Sequence, residues 1–286
     1  MRLFITFAIF ATLSLGSLSA QSSVWRVSKG DQSLYLGGTC HILRASDYPL
    51  PTEFDLAYEA ADSLVFEVDP DDLQDPAFAM KIMAESVYKD GRTLKSVLST
   101  EAYAALAEEC RQANMPIEMI QSMKPGMAVM MLTIQELMKA GVSEEGVDLH
   151  YGNRAKADGK TIAALETAEF QLKLITTLGE GAESELVLYS LQDLDQISEL
   201  FDEIIAAWRS GDLDTINEMF VEDMAEAPEI YDVMLKDRNA RWLPQIEVML
   251  KTKPTEFILV GVGHMPGKDG LIELLKAKGY TVTQVE

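Results

Sequence analysis

The chain has 286 residues, which is enough to bury a sizeable hydrophobic core. With 48% hydrophobic and 24% charged residues, its composition is that of a globular protein and excludes an intrinsically disordered one. The formal net charge of -22 argues against nucleic acid and anionic membranes as partners, because both are bound through clusters of Lys and Arg.

Residues 1–20 have the pattern of a signal peptide. Arg2 supplies a positive charge, an apolar run extends from Leu3 to Leu15, and small residues follow. The run is shorter than a membrane span, and the sequence has no second run of this kind. We therefore expect export to a bacterial periplasm, cleavage near Ser19 or Ala20 and no transmembrane span in the mature chain. An uncleaved N-terminal anchor is the alternative.

The first predicted elements form a β-hairpin that leads to a histidine. Residues 24–28 and 33–36 alternate apolar and polar side chains around a turn at 29–31. The second strand leads into Gly38-Thr39-Cys40-His41, where we expect the glycine to let the backbone come close and aim the histidine ring across the edge of the sheet. Three interpretations of Cys40 are open: a buried inert thiol, a disulfide with Cys110, or a thiol in the site.

A helix and a third strand follow the hairpin. The helix is predicted from Pro51-Thr52 to about Ala61, and its expected buried side is Phe54, Leu56, Tyr58 and Ala61. The strand spans residues 63–69, and its apolar run is interrupted by Glu67. Because a carboxylate at the end of a buried strand is costly without a partner, Glu67 is a candidate site residue.

Two sections, at about 71–140 and 170–250, are predicted to be mostly helical. Between them, a helix from about 146 to 156 precedes a short strand at 161–165, a spacing that favours a βαβ unit. His150 lies on this helix, where its role is either structural or in the site. Glu166 follows the strand and is a further candidate.

Near its C-terminus the chain repeats the order of strand, glycine and histidine. Residues 256–260 form an apolar run that ends at Gly261 and Gly263, and His264 follows. A helix at about 269–277 and a strand at 280–285 complete the chain. Open α/β sheets bind ligands at the carboxyl ends of their strands. Since the chain has only 3 His, the matching positions of His41 and His264 indicate one shared site.

These elements predict an α/β fold. We expect a mixed sheet formed mainly by the N- and C-terminal portions, with a large helical section inserted between them. Residues 21–286 are expected to form a single domain.

Two imidazoles and one carboxylate are a common ligand set for a divalent transition metal, which predicts a metal site of His41, His264 and Glu67. A metal with an open position activates water, and Glu67 would be either a ligand or the general base. Arg238, in a turn that also holds Asn239, would stabilise an oxyanion if it lies close by. The alternative is that each histidine only caps a strand or bonds a nearby carbonyl.

The sequence resembles the TraB/GumN family, which includes PrgY and the Tiki proteins. The resemblance rests on Gly38-Thr39-Cys40-His41 and Gly261-Val262-Gly263-His264, which match the family's paired G-x-x-H signatures. Further support comes from four segments: Phe66-Glu67-Val68-Asp69, Gly146-Val147-Asp148, Leu165-Glu166-Thr167 and Arg238-Asn239. The order and spacing of these motifs cover nearly all of the mature chain.

The resemblance implies a mixed α/β fold related to the ChaN-like and erythromycin-esterase-like proteins. Because Tiki proteins are metal-dependent peptidases, it also implies a divalent metal, with manganese, cobalt or zinc as candidates. His41, His264 and Glu67 would then form the metal site, and Arg238 and Asn239 would line it.

An exported metal-dependent hydrolase that acts on peptides is therefore the leading expectation. The alternative is a non-catalytic protein that sequesters a peptide, haem or a metal through the same residues. An esterase using the same metal-bound water is a third interpretation, with a small molecule as substrate.

Overall fold

The structure is a computed structural model that describes residues 21–286 except 144, 193, 223, 225 and 226. The predicted signal peptide at 1–20 lies outside the described residues.

Six strands form one mixed sheet in the described part of the chain. They are β1 (Val24–Lys29), β2 (Gln32–Thr39), β3 (Ser63–Phe66), β4 (Thr161–Ala164), β5 (Glu256–Gly261) and β6 (Thr281–Gln284). The order across the sheet is β4-β3-β5-β2-β1-β6, with β4, β3, β5 and β2 parallel to one another and β1 antiparallel to both of its neighbours. The predicted α/β fold is confirmed.

Strand register brings the carboxyl ends of the four parallel strands to one edge of the sheet. Thr39 at the end of β2 pairs with Gly261 at the end of β5, and Phe66 at the end of β3 pairs with Ala164 at the end of β4. The residues that follow these strands are therefore neighbours in space.

Helices fill the rest of the chain. They are α1 (Thr52–Ala60), α2 (Pro70–Gln74), α3 (Pro76–Glu85), α4 (Leu94–Val97), α5 (Thr100–Gln112), α6 (Pro125–Lys139), α7 (Val147–Asp158), α8 (Ala168–Thr176), α9 (Glu183–Leu191), α10 (Ile197–Ser210), α11 (Leu213–Ile216), α12 (Pro228–Tyr231), α13 (Asp237–Met249) and α14 (Leu271–Ala277). Short 3₁₀ turns occur at Ala45–Asp47, Ile117–Ile120, Leu194–Gln196 and Val262–His264, and π-helical turns at Asn217–Glu222 and Asp232–Lys236. No helix among the described residues has the length and apolar character needed to cross a bilayer.

The sheet is covered on both faces. Alternate residues of β5 point to opposite sides, so that Phe257 and Leu259 belong to one hydrophobic cluster and Ile258 and Val260 to another. Aromatic residues of α1, α7 and α10 cover the first face: Phe54, Tyr151 and Trp208. Helices α13 and α14 cover the second with Trp242, Ile246, Leu271 and Leu275. The inserted helices α5, α6 and α9 pack around a cluster of their own.

Two local predictions were wrong. The strand predicted at 33–36 is longer, because β2 runs on through Gly38 to Thr39. Glycine is needed there because a Cβ would lie 2.7 Å from Val262 Cγ2, so the requirement is for close packing. In α1, Leu56 is 54% exposed, because the buried stripe of this helix runs through Phe54, Ala57 and Tyr58.

Candidate active site

The predicted site residues His41, Glu67 and His264 meet around Gly261. A Cβ built on Gly261 would lie 3.3 Å from Glu67 Oε1, 3.4 Å from His41 Nε2 and 3.7 Å from His264 Cδ2. The absence of a side chain at Gly261 therefore leaves the space into which both histidine rings and the carboxylate project. Two histidines that are 223 residues apart thus lie in one site, as their matching positions predicted.

His41 is fixed by Asp148, the second residue of α7. The His41 ring nitrogen Nδ1 lies 2.9 Å from Asp148 Oδ2, and Asp148 Oδ1 accepts a hydrogen bond from Thr39 Oγ1 at 3.1 Å. The charge of Asp148 raises the pKa of His41 to about 9. The side chain is 60% exposed, and its Nε2 atom has no hydrogen-bond partner among the described residues. His41 therefore presents an oriented ring nitrogen to ligands.

The loop that carries His41 packs directly on the start of α7. Val147 N–H donates to Cys40 O at 3.0 Å, and a Cβ on Gly146 would lie only 2.1 Å from His41 O. Cys40 is buried in the core, and burial raises the pKa of its thiol. Cys40 and Cys110 are both free thiols in the structure, so the interpretation of Cys40 as an inert buried thiol is favoured over a disulfide.

Glu67 lies directly after β3 and is only 6% exposed. Its Oε1 accepts the Gly261 N–H at 2.7 Å, and its Oε2 accepts Gln171 Nε2 at 3.0 Å and an N–H of Arg238. Burial opposes ionisation, but the positive charge of the adjacent Arg238 lowers the pKa of Glu67 to about 2. The partner that its buried position required is therefore Arg238.

Arg238, on the first turn of α13, is buried and uses all five of its N–H groups within the protein. Nε donates to Glu166 at 3.1 Å, Nη1 donates to Met234 O at 3.2 Å and to His264 Nε2 at 3.0 Å, and Nη2 donates to Glu67 and Glu166. Its guanidinium thereby links two carboxylates to one imidazole. With this set of partners, all of its N–H groups are engaged within the protein.

His264 is a neutral imidazole of defined tautomer. Because Arg238 can only donate, His264 Nε2 must be the acceptor, which leaves the proton on Nδ1 to donate to Asn239 Oδ1 at 2.8 Å. Burial, aided by the charge of Arg238, lowers the pKa of His264 to about 3. The ring packs against Trp242 with a centroid separation of 4.4 Å. Asn239 also donates to Asp269 O at 2.8 Å and so ties the His264 loop to α13.

The three predicted metal ligands differ in how freely their ligand atoms could bind a divalent metal. His41 has the hydrogen-bonded carboxylate typical of a metal-binding histidine. His264 Nε2 and Glu67 Oε2, however, both face the guanidinium of Arg238. Within the described ranges, no group of three or more His, Cys, Asp or Glu side chains is arranged to hold a metal ion. The three predicted ligands converge, but in this arrangement they do not form a metal site.

A cleft of about 260 Å³ opens beside His41 and Glu67. Its other lining residues are Val68, Pro70, Leu73, Gln74, Asp148, Leu149 and Gln171. The exposed face of His41 and one edge of the buried charge cluster are therefore accessible from the same opening.

His150 lies outside this cleft. It follows Asp148 by two positions on α7, and its ring packs against Tyr48 and Tyr151. Burial lowers the pKa of His150, which fits a structural ring better than a charged one. A Cβ built on Gly263 would lie 3.2 Å from Phe220 Cγ, and Gly263 does not line the cleft.

Sequence reasoning missed Gln171, which both lines the cleft and bonds Glu67. The available signal was its position in the first turns of α8, the helix that follows Glu166 at the edge of the sheet. A polar residue at the start of a helix is common on any surface, so the signal was weak.

The mixed sheet presents two histidine loops at its carboxyl edge, and each loop carries a G-x-x-H motif. The chain belongs to the TraB/PrgY/gumN family, which it matches over residues 23–284, so the predicted family is confirmed. Two curated relatives from Danio rerio are similar to it: Metalloprotease TIKI2, with 24% identity over 307 residues, and Metalloprotease TIKI1, with 22% identity over 323 residues. The alignments cover 87% and 91% of this chain but 57% and 62% of the relatives, so the chain spans about three fifths of their length. No solved structure matches the chain.

Proposed function

We propose that the protein is a metal-dependent hydrolase that cleaves peptides in the cleft beside His41 and Glu67. The observation that carries this proposal is the convergence of His41, Glu67 and His264 on Gly261 at the carboxyl edge of the sheet. The similarity to two proteins named as metalloproteases supports the reaction class.

Residues of the chain have definite roles in this proposal. In this hydrolysis a water molecule adds to the peptide carbonyl carbon and the C–N bond breaks. His41, oriented by Asp148 and positively charged near neutral pH, donates a proton from Nε2 to the leaving amine and regains one from the added water. Glu67 remains ionised and is directed toward the cleft by Gly261 and Gln171. Arg238, Glu166 and Asn239 are positioning residues, because their polar atoms bond Glu67, His264 or one another.

Metal dependence rests on the relatives, since His264 and Glu67 are engaged by Arg238 in the structure. Direct measurement tests it. Purified protein is incubated with a peptide library and a chelator, and then with manganese, cobalt or zinc. We expect cleavage only with added metal, and its loss in His41→Ala. Cleavage that is unchanged by chelation contradicts the metal-dependent part of the proposal.

His150→Ala is the matched control, because it removes the third histidine of the chain outside the cleft. It should retain cleavage. Circular dichroism of each variant separates loss of chemistry from loss of fold.

A second candidate function is a peptide-binding protein without catalysis. It is favoured by the hydrogen bond from Arg238 to His264 Nε2, because this bond occupies the lone pair with which His264 would bind a metal. Peptide retention by the wild type with no cleavage under any of the metal conditions would support it and exclude the hydrolase.

Export is a separate proposal. It is supported by the signal-peptide pattern of residues 1–20. Mass spectrometry of the protein recovered from a periplasmic fraction should show a first residue near Ala20 or Gln21. A full-length chain in the cytoplasm would contradict it.

A further inference from the structure

A large apolar groove lies in the helical section, separate from the cleft. It has a volume of about 620 Å³, within the range of ligand-binding pockets. Its apolar lining comes from α8, α9, α12 and the residues beside them: Leu174, Leu178, Leu186, Pro228, Ile230 and Val233. Val233 is 45% exposed, so part of this apolar surface is open to solvent.

The rim of this groove is acidic. Glu180, Glu185 and Glu229 line it, and the lining contains no Lys, Arg or His. The three side chains are exposed, and none has an ion pair or hydrogen bond with a described residue. The groove thus combines an apolar floor with three carboxylates that have no ion pair or hydrogen bond with a described residue.

Helix α8 connects the groove to the cleft. Gln171 bonds Glu67 in the cleft, and Leu174, three residues later, lines the groove. Three residues correspond to about 4.5 Å along a helix axis. A smaller pocket of about 250 Å³ shares Leu174, Thr177 and Val233 with the groove and is also lined by Lys173 and Arg241. The cleft and the groove therefore lie on neighbouring parts of one helix.

We propose that the groove docks a cationic amphipathic peptide segment. Its apolar side chains would fill the groove, as in helix-in-groove recognition, and its Lys or Arg side chains would meet Glu180, Glu185 and Glu229. Complementary charge selects this occupant, since the acidic rim repels acidic peptides and anionic lipid surfaces. The identification of this peptide as a substrate rests on the proposed function; the docking does not.

Binding of a defined probe tests the docking. The probe is a fluorescent amphipathic helical peptide of Leu and Lys, and the control probe has Glu in place of each Lys. Fluorescence anisotropy is measured with the full-length protein and repeated in the His41→Ala background, so that cleavage does not remove the probe. We expect binding of the Lys peptide that weakens with salt, and none of the Glu peptide.

Matched variants locate the binding surface. The triple variant E180Q/E185Q/E229Q should bind the Lys peptide about tenfold more weakly, which corresponds to about 1.4 kcal/mol. The triple variant E118Q/E203Q/E286Q changes the net charge equally at exposed residues outside the groove, and it should bind like the wild type. Val233→Asn tests the apolar floor at an exposed position without changing the charge, and it should also weaken binding.

The outcomes separate this inference from the proposed hydrolase. Absence of binding, or equal loss of binding in both triple variants, overturns the groove assignment even if library peptides are cleaved. Binding that depends on the groove without cleavage of any peptide keeps the groove and overturns the hydrolase. Binding of anionic vesicles through Val233 overturns the choice of a peptide as the occupant.

Discussion

Glu67 accepts the backbone N–H of Gly261 at 2.7 Å, which joins the end of β3 to the end of β5. The same glycine leaves room for the Nε2 atom of His41, which would be 3.4 Å from a Cβ at that position. Gly261 therefore orients the carboxylate of Glu67 and leaves space for the ring of His41. The second G-x-x-H motif contributes its first glycine to the site as well as His264.

Gly261→Ala should reduce peptide hydrolysis without unfolding the protein. The backbone at Gly261, with φ -48° and ψ 134°, is accessible to alanine, so the change adds no backbone strain. The new methyl group presses on Glu67 Oε1 and His41 Nε2, and such displacements of reacting groups cost about 10- to 100-fold in rate. The measurement is kcat/KM together with the thermal midpoint.

Gly263→Ala is the control for this prediction. Its methyl group would meet the Phe220 ring at 3.2 Å, a similarly tight contact that involves neither Glu67 nor His41. It should lower stability and have the smaller effect on kcat/KM. If both variants lose the same activity, the role assigned to Gly261 is wrong.

Arg238→Met should destabilise the protein by about 3–5 kcal/mol. The variant leaves Glu67 and Glu166 buried without their shared cation, and uncompensated buried charge is costly. Urea unfolding measures the free energy of unfolding of each variant.

Arg241→Met is the control, because the Arg241 side chain is 46% exposed and lies 3.6 Å from Glu166. It should change the free energy of unfolding by less than about 1 kcal/mol. Equal effects of the two variants would contradict the assignment of Arg238 as the central cation.

The proximity of these side chains could be predicted from the sequence, because each of them follows the end of a predicted strand. His41, Glu67, Glu166 and His264 each follow a strand of a largely parallel sheet, and parallel strands present their carboxyl ends at one edge. The family motifs added Asp148, which bonds His41. The hydrophobic periodicity of the strands and the order of the motifs along the chain were sufficient to predict that these residues lie at one edge of the sheet.

The engagement of two of the three metal-ligand candidates, Glu67 and His264, by Arg238 could not be predicted in the same way. Arg238 follows the π-helical turn Asp232–Lys236, which alters the 3.6-residue register on which face assignments depend. A basic residue in an acidic helical section also resembles an ordinary surface residue. Only the packing of α13 against the sheet brings it to Glu67 and His264, and that packing leaves no local trace in the sequence.

The stability of the metal-free protein should rise with pH between about 5 and 6.5. The pKa of His264 is about 3 in the folded state and 6.5 as a reference, so in this range the unfolded chain binds one more proton. The expected slope is up to about 1.4 kcal/mol per pH unit. Glu67 contributes the same sign only below its reference pKa of 4.5, and His41, whose pKa is raised, loses its contribution only above 6.5.

The measurement is urea unfolding in the presence of a chelator. It is made in the His150→Gln background, because burial also lowers the pKa of His150. Adding His264→Asn should flatten the slope over this range. A slope that His264→Asn leaves unchanged would show that the neutral, buried state assigned to His264 is wrong.

Gln171→Leu should lower hydrolysis and move the acid limb of its pH profile to higher pH. Gln171 Nε2 donates to Glu67 Oε2 at 3.0 Å and thereby favours the ionised carboxylate, so its removal raises the pKa of Glu67. Losses of hydrogen bonds that orient site residues cost about 10- to 100-fold. Gln171→Glu should shift the limb further, because a like charge is placed beside Glu67.

Gln74→Leu is the matched control, since Gln74 lines the same cleft and makes no hydrogen bond to Glu67. If Gln74→Leu and Gln171→Leu shift the limb alike, the effect comes from cleft polarity and not from the bond to Glu67.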